Sequence, residues 1–538
     1  MEIEKASKLA VENVLKEGLT DIFPPPFELQ LLKNKIFRKK VAEHVAKCIK
    51  GNSLESLAVG QIDHVLLPKG GPFDFRRCAL IHPLDTIKFL ALSLVFADQL
   101  ENLRPKKIRK VVFSYRFKPH NGYIFDPKYN ITSFKKHVAQ KIRQKRIKVL
   151  VTCDIANFYD RLNLHRLESI LLSKGFDKIR VKQLNELLLF WANRDSYSLP
   201  VGSNASRILA EASLLEVDNY LLSIGVKFCR FVDDYRLFAP NAHTAHYWLT
   251  QLIERLWLEG LTINQRKTKI EDVSALYGSS ESKEEDKVEI ATRTKKQAPE
   301  EPTPQFRLLA GYGGVIPTKF RTPTNSELTK LKQSNPKDIF FSLKAKKIVE
   351  PDDVKLFIKS VLATDKFKYF SLLPDIADLF PQFTPYIIDV LIKYKDKIDN
   401  FVKQKIKVKF SKKLKDSDYL PEYITVAIVR LLGCDGYEDA KILLDLFRGL
   451  KRNAGAYIGR VLLDSMEDLV TRNDVLEIRQ YFSRADSWEK RQIVKIVNKH
   501  LSEDEKRPFL KNVLTQESKD MFIVEYIRPS KKKTKKKK

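Results

Sequence analysis

The order of apolar and polar positions divides the chain into stretches of different texture. From residue 345 to 528 apolar residues recur at helical spacing. Ile424, Ala427, Ile428 and Leu431 stand at i, i+3, i+4 and i+7, and Ala440, Leu443, Leu444 and Phe447 repeat the interval. Each such stripe must be covered by a neighbour, so the pattern predicts helix after helix, an all-α HEAT-like repeat domain of stacked hairpins. Residues 66–277 differ. Short β-branched or aromatic runs (Lys148–Cys153, Lys227–Phe231, Leu237–Ala239) alternate there with longer amphipathic segments, which predicts an α+β unit. Residues 1–65 read as an N-terminal helical extension broken at Pro24-Pro25-Pro26. Residues 278–304 have almost no large apolar side chain and read as a charged flexible linker or insertion. Residues 305–344 form a connecting segment that includes the Gly-rich Ala310-Gly-Tyr-Gly-Gly314, and residues 529–538 are a Lys-rich tail.

Composition narrows the class. A chain of 538 residues predicts about three domains, and 43% hydrophobic content with 32 Phe excludes wholesale disorder. The longest near-apolar stretch, Phe89 to Ala97, is about half a membrane span, so no membrane association is expected. Met-Glu-Ile-Glu-Lys at the start does not resemble a signal peptide. Five cysteines without a CxxC pair exclude a zinc ribbon and fit a reducing, cytoplasmic setting. The formal charge is +30, and the seven lysines after Ser530 account for only part of it, so the body itself calls for a polyanionic partner. Two cation-dense runs, Leu103–Lys110 and Lys135–Lys148, are suited to backbone phosphates. His243 and His246 lack the Glu of a zinc-binding H-E-x-x-H helix and read as ordinary helix surface.

The chemistry concentrates in two segments. Val149-Leu-Val-Thr-Cys-Asp154 delivers an Asp at the end of a predicted strand, and Tyr159 follows five residues later. In Lys227-Phe-Cys-Arg-Phe231-Val-Asp233-Asp234-Tyr-Arg-Leu-Phe238 two apolar strands flank an Asp pair, the pattern of a hairpin with carboxylates at its tip. Asp is unfavourable in strands and loses solvation when partly buried, so two such segments imply carboxylates gathered around cations. Hard oxygen ligands suit Mg²⁺ or Mn²⁺, and a metal pair supports phosphoryl transfer.

These residues resemble the palm motifs of reverse transcriptases. Phe231-Val-Asp233-Asp234 is similar to their Y/F-x-D-D motif, and Asp154 with Tyr159 to their first palm motif. Ser198-Leu-Pro-Val-Gly202-Ser-Asn-Ala-Ser206, continuing to Asp218, resembles the intervening motif of group II intron and retron enzymes. Gly260-Leu-Thr-Ile-Asn-Gln-Arg-Lys267 resembles the fourth palm motif, and Ser114-Tyr-Arg116-Phe-Lys-Pro119 a segment upstream of the first. The likeness runs over about residues 66–320. It implies a right-hand polymerase with fingers and palm over 66–277 and a thumb-like segment over 305–344, in which Leu308-Leu-Ala-Gly311-Tyr would be a primer grip. By that resemblance Asp154 and Asp233 bridge two metals and Asp234 is a third carboxylate. Lys267 is a general acid, and Tyr159 lies under the sugar and excludes a 2′-hydroxyl. Gly202 and Ser206 shape the nucleotide floor, and Arg76, Arg77 or Arg116 meets the triphosphate. The implied partners are dNTPs and nucleic acid.

One position departs from the pattern. Where group II and retron enzymes have Gln between Pro and Gly, this chain has Val201, which cannot hydrogen-bond to a base pair. Pro-Val-Gly, the Ser-Tyr-Arg segment and the long helical C-terminal region resemble the abortive-infection (Abi) and other defence-associated reverse transcriptases of bacteria. Membership there implies antiphage defence, untemplated or protein-primed DNA synthesis with product covalently attached, and homo-oligomers through the helical domain. RNA-templated cDNA synthesis, as in a retron or intron enzyme, and a non-catalytic RNA-binding scaffold remain the alternatives. A C-terminal HEPN ribonuclease is excluded, because Arg491 precedes His500 by nine residues rather than four to six. The first tyrosine is Tyr115, so self-priming on an N-terminal tyrosine is excluded too.

Overall fold

The computed structural model describes residues 1–19, 26–69, 74–193, 195–274, 325–416, 420–449 and 456–530. The 278–304 linker, the 308–312 primer-grip segment and all but the first residues of the tail lie outside them. Among the described residues the strands are β1 (Asp63–Pro68), β2 (Phe75–Leu80), β3 (Phe117–His120), β4 (Tyr123–Phe125), β5 (Val149–Asp154), β6 (Phe228–Phe231), β7 (Asp234–Ala239) and β8 (Lys269–Asp272). They form hairpins β1–β2 and β3–β4 and an antiparallel sheet ordered β6-β7-β5-β8. No helix among them is long and apolar enough to cross a membrane.

Backbone contacts divide the chain into two compact units. The first takes its described residues from Met1–Leu19, Arg38–Gln61 and Pro83–Pro302, and the second from Thr20–Phe37, Ile62–His82 and Thr303–Lys538.

In the first unit β5, β6 and β7 bury most of their side chains while β8 is largely exposed, and β5 accordingly reads as a nearly unbroken apolar run. Side chains alternate along each strand. Val151 and Cys153 of β5 and Tyr235 and Leu237 of β7 are fully buried. Helix Ala242–Leu258 packs on both strands and on helix Leu215–Ser223. Leu150, Phe238 and Cys229 join a separate cluster with Phe113, Ile147, Val273 and Phe134, the last from helix Ile131–Ile142. Each fully buried Val or Leu contributes ~1.5–3 kcal/mol by leaving water, so the alternation fixes the register firmly. The apolar stretch Phe89–Ala97 is the middle of helix Pro83–Leu103, buried almost throughout, against which helices Ile3–Glu17 and Asn204–Ser213 pack.

The second unit is mainly helical. Helices Thr384–Lys393, Glu422–Leu432, Ala456–Met466, Ser487–His500 and Met521–Ile527 contact one another in that order, each skipping the helix between. Hairpin β1–β2 belongs to this unit, although the sequence pattern groups it with the catalytic region. Phe75 lies 5.9 Å from the Tyr423 ring, and His82 stacks on Trp488 at 4.4 Å. Glu28, buried, accepts from both Nη1 and Nη2 of Arg460 at 3.0 and 3.1 Å. Phe75 of the hairpin, still partly exposed, and His82 just beyond it thus meet these helices.

Candidate active site

The site forms at one end of the four-stranded sheet. β5 and β7 pair antiparallel with Asp154 directly opposite Asp234. Phe231 pairs with Asp234, which leaves Val232 and Asp233 as a two-residue hairpin turn. Val232 has φ +58°, a left-handed conformation that a β-branched residue adopts only under compulsion. The Asp233 carbonyl accepts from the Ile155 amide at 3.2 Å, so the turn is tied to the residue following Asp154. Asp154, Asp233 and Asp234 are thus delivered together by two strand ends and one turn.

What compels Val232 is a buried ionic cluster behind it. Arg230, with no exposed surface, donates through Nη1 to the Val232 carbonyl at 3.1 Å. Its Nε and Nη2 reach the Asp218 carboxylate at 2.8 and 2.6 Å, and Nη2 also reaches Glu211 at 2.8 Å. Glu211 in turn accepts from Arg104 Nη2 at 2.7 Å and from the Ser114 hydroxyl, and the Tyr235 hydroxyl donates to Asp218 at 3.2 Å. Burial disfavours the charge on Glu211, but Arg104 and Arg230 outweigh it and hold the carboxyl below its ordinary range. Burial likewise opposes the Arg230 charge, and Asp218 and Glu211 overcome it, keeping the guanidinium protonated. The sequence motif placed Ser114, Glu211 and Asp218 near the chemistry without assigning them a role. In the fold they hold up the carboxylate turn.

The three carboxylates differ in surroundings. Burial, then the neighbouring charges of Asp154 and Asp234, push Asp233 up to about 7. Asp234 is raised by burial and by Asp154, against the pull of Arg236, whose Nη1 lies 3.7 Å away. Asp154 is 13% exposed and faces Lys267 Nζ at 3.3 Å and Asn264 Nδ2 at 3.3 Å. The Asn264 amide also donates to the Asp154 carbonyl at 2.7 Å, fixing the fourth-motif segment against β5. The Lys267 side chain itself is 64% exposed. Among the described residues no group of three or more His, Cys, Asp or Glu side chains is gathered closely enough to cage a metal. The donor set nevertheless suits one. Mutually repelling hard-oxygen ligands, one raised towards neutrality, are relieved by a divalent cation, as Mg²⁺ or Mn²⁺ chemistry requires.

The remaining expected residues divide into two groups. Tyr159 stands on the short helix Phe158–Arg161, half-buried, and its carbonyl accepts from the Leu199 amide at 2.9 Å; Phe158 beside it is core. That bond joins the first motif to the loop Leu199–Gly202, whose Gly202 has φ +119° and so must lack a Cβ. Ser206 and Arg116 are both buried. Ser206 is fully buried in helix Asn204–Ser213, its hydroxyl donating to the Pro200 carbonyl at 2.5 Å and its amide to Ser203 Oγ at 3.1 Å, so it shapes the loop from behind. Arg116 is paired with Glu101 at 3.0 Å and donates to the Pro105 carbonyl at 2.8 Å. Arg76 and Arg77 stand on β2 in the second unit, where Arg77 Nη2 lies 3.2 Å from His64 Nδ1. His243 and His246 are exposed on helix Ala242–Leu258, as ordinary surface residues.

A family comparison covers this corner of the fold. Residues 95–296 match the family model described as "Reverse transcriptase (RNA-dependent DNA polymerase)", which covers Asp154, Asp233, Asp234 and Lys267. No curated protein matches the chain. Among solved structures, telomerase from Candida albicans in complex with a fragment of telomeric RNA is similar at 11% identity and a TM-score of 0.28, over 68% of this chain and 64% of that one. The Candida tropicalis telomerase complex is similar at 12% identity and 0.27, over 70% and 67%. This chain therefore spans a little under two thirds of the first of these. The similarity to a reverse transcriptase domain covers residues 95–296, and a domain of that description indicates RNA-directed DNA polymerase activity.

Proposed function

We propose that the protein is a DNA polymerase of the reverse transcriptase type that adds deoxynucleotides to a hydroxyl by metal-dependent phosphoryl transfer. The observation that carries this reading is the meeting of Asp154, Asp233 and Asp234 at one sheet end, inside the matched domain, on a turn held by buried Arg230. Asp154 and Asp233 would hold the divalent cations, with Asp234 as the outer carboxylate. Such cations, when bound, activate the attacking hydroxyl and stabilise the leaving oxygen. Lys267 would give a proton to the leaving pyrophosphate, and Tyr159 would bar a ribose 2′-hydroxyl by bulk. Gly202 leaves room for close backbone approach at the nucleotide floor.

The finer reading is untemplated or protein-primed synthesis in antiphage defence, in the bacterial cytoplasm. Val201 in Pro200-Val201-Gly202 supports it, because that side chain offers no hydrogen bond to a templating pair. The helices of the second unit, each packing on the next but one, support a HEAT-like stack able to carry homo-oligomer contacts. Purified protein incubated with Mg²⁺ and labelled dNTPs tests both levels. Incorporated label establishes the polymerase. Product sequence then separates the two modes: a homopolymeric or untemplated product, or label that stays with the protein after denaturation, upholds the finer reading. A product complementary to co-purified RNA replaces it by templated cDNA synthesis.

A further inference from the structure

The cation-dense runs that the carboxylate chemistry leaves unused meet in space. At the opposite end of the same sheet lies a cavity of about 560 Å³, beside the start of β6 and the end of β7. Arg109 and Lys110 reach it from the first basic run, Lys141 and Arg146 from the second, and Lys227 from the residue before β6. The six-residue strand β5 separates this end from the carboxylates by ~17 Å. Among the described residues no acidic side chain lines the cavity. None of the five cations has a salt bridge among the described residues, whereas nearby Lys174 and Arg166 pair with Glu216 and Glu259 at 2.6 and 2.7 Å.

Five unpaired positive charges around one concavity repel one another, and a concave low-dielectric wall focuses their field on whatever enters. The wall is partly apolar: Phe228 and Phe238 are buried there and Trp248 is half-buried. His137 adds no charge at neutral pH, since burial, followed by Lys141 and Lys110, presses it down to about 4. The positive surface also continues beyond the cavity through exposed Lys136, Lys145 and Lys148. Positive charge thus continues past the cavity, which suits a chain of phosphates better than a single nucleotide.

We propose that the cavity binds the sugar-phosphate backbone of a single nucleic-acid strand, as a second contact separate from the catalytic carboxylates. RNA and DNA share the phosphodiester chemistry that the five cations recognise, and both are compared in the test. Fluorescence anisotropy of labelled 20-nucleotide RNA and DNA strands is measured against the full chain, in EDTA, across a salt series. Neutralising three phosphate contacts on a single strand lowers the slope of log K against log salt by about 2. The triple variant Lys110→Gln/Arg146→Gln/Lys227→Gln is expected to show that fall. A matched variant of exposed lysines outside the cavity, Lys5→Gln/Lys8→Gln/Lys47→Gln, is expected to leave the slope nearly unchanged. Equal slopes for the cavity variant and wild type, or an equal fall in both variants, overturn the proposal. Displacement of the strand from wild type, but not from the cavity variant, by micromolar dNTP would show a mononucleotide site and also overturn it. Photocross-links from a 4-thiouridine strand should map to residues 137–147 or to Trp248. The assay contains no divalent cation, so its outcome is independent of whether the carboxylates support synthesis.

Discussion

Replacing Arg230 by methionine tests whether the catalytic turn is held from behind. Methionine keeps the length and apolar stem but removes every donor. Asp218 loses the bonds at 2.8 and 2.6 Å, Glu211 the one at 2.8 Å, and the Val232 carbonyl its partner at 3.1 Å. Glu211 keeps Arg104, but Asp218 is left as a buried carboxylate with only the Tyr235 hydroxyl. Breaking one partner of a buried pair costs ~3–5 kcal/mol, because the other charge stays desolvated. Hydrogen exchange of the β6 and β7 amides reads this locally, at ~1.4 kcal/mol per tenfold, so protection over residues 228–239 should fall by ~10²–10³-fold or more. Asp218→Asn in the same molecule removes the stranded charge and still accepts from Tyr235. The double variant should therefore recover part of the loss, with a coupling of ~1–3 kcal/mol. A fall in protection under about tenfold in the single variant, or no recovery in the double, would refute the role given to this cluster.

Other consequences follow from the same geometry. In metal-free protein Asp233 keeps its proton up to about pH 7, where the unfolded chain has lost it near 4. The folded state thus binds more protons over that window, and this group's contribution to stability falls as pH rises through it. Cation binding must expel the proton, so Mn²⁺ affinity by calorimetry should weaken towards tenfold per unit below pH 7, with about one proton released per site; a pH-independent affinity would contradict this. Lys267→Ala should lower the rate of dNTP incorporation by ~10²-fold or more with little change in KM, which single-turnover kinetics would register. Tyr159→Ala should admit ribonucleotides, raising rNTP relative to dNTP incorporation by at least ~10-fold in a competition assay; unchanged selectivity would remove the residue from the sugar site.

How far the site could be read from sequence depended on what each motif encodes. Strand-borne carboxylates announce themselves because Asp at the end of an apolar run is costly unless used, and Asp154, Asp233 and Asp234 converge accordingly. Lys267 was reachable because its segment follows a helix and returns antiparallel to β5 as β8. Arginine was the weak point. An Arg in a mixed segment looks the same whether it faces a triphosphate or a buried Glu, and Arg116 proved to be the second kind. Arg230, read only as one residue of an apolar strand, turned out to be the centre of the supporting cluster. Its signal was present as two acids, Glu211 and Asp218, seven residues apart on the helical segment preceding β6. The Ser206 hydroxyl bonds the Pro200 carbonyl from inside the helix start, a contact that the motif alone does not specify. The β1–β2 hairpin shows the limit of local pattern, since its short strands carry no mark of which helices cover Phe75 and His82. The two basic runs were visible as composition, and only the fold brought them to one cavity.

The central claim is that the three carboxylates perform metal-dependent nucleotide addition, and Asp233→Ala/Asp234→Ala tests it most directly. Labelled dNTP incorporation in Mg²⁺ should be readily measured for wild type and fall to background in the double variant, while its circular dichroism stays that of the folded protein. Incorporation at the wild-type rate by the folded double variant would contradict the account.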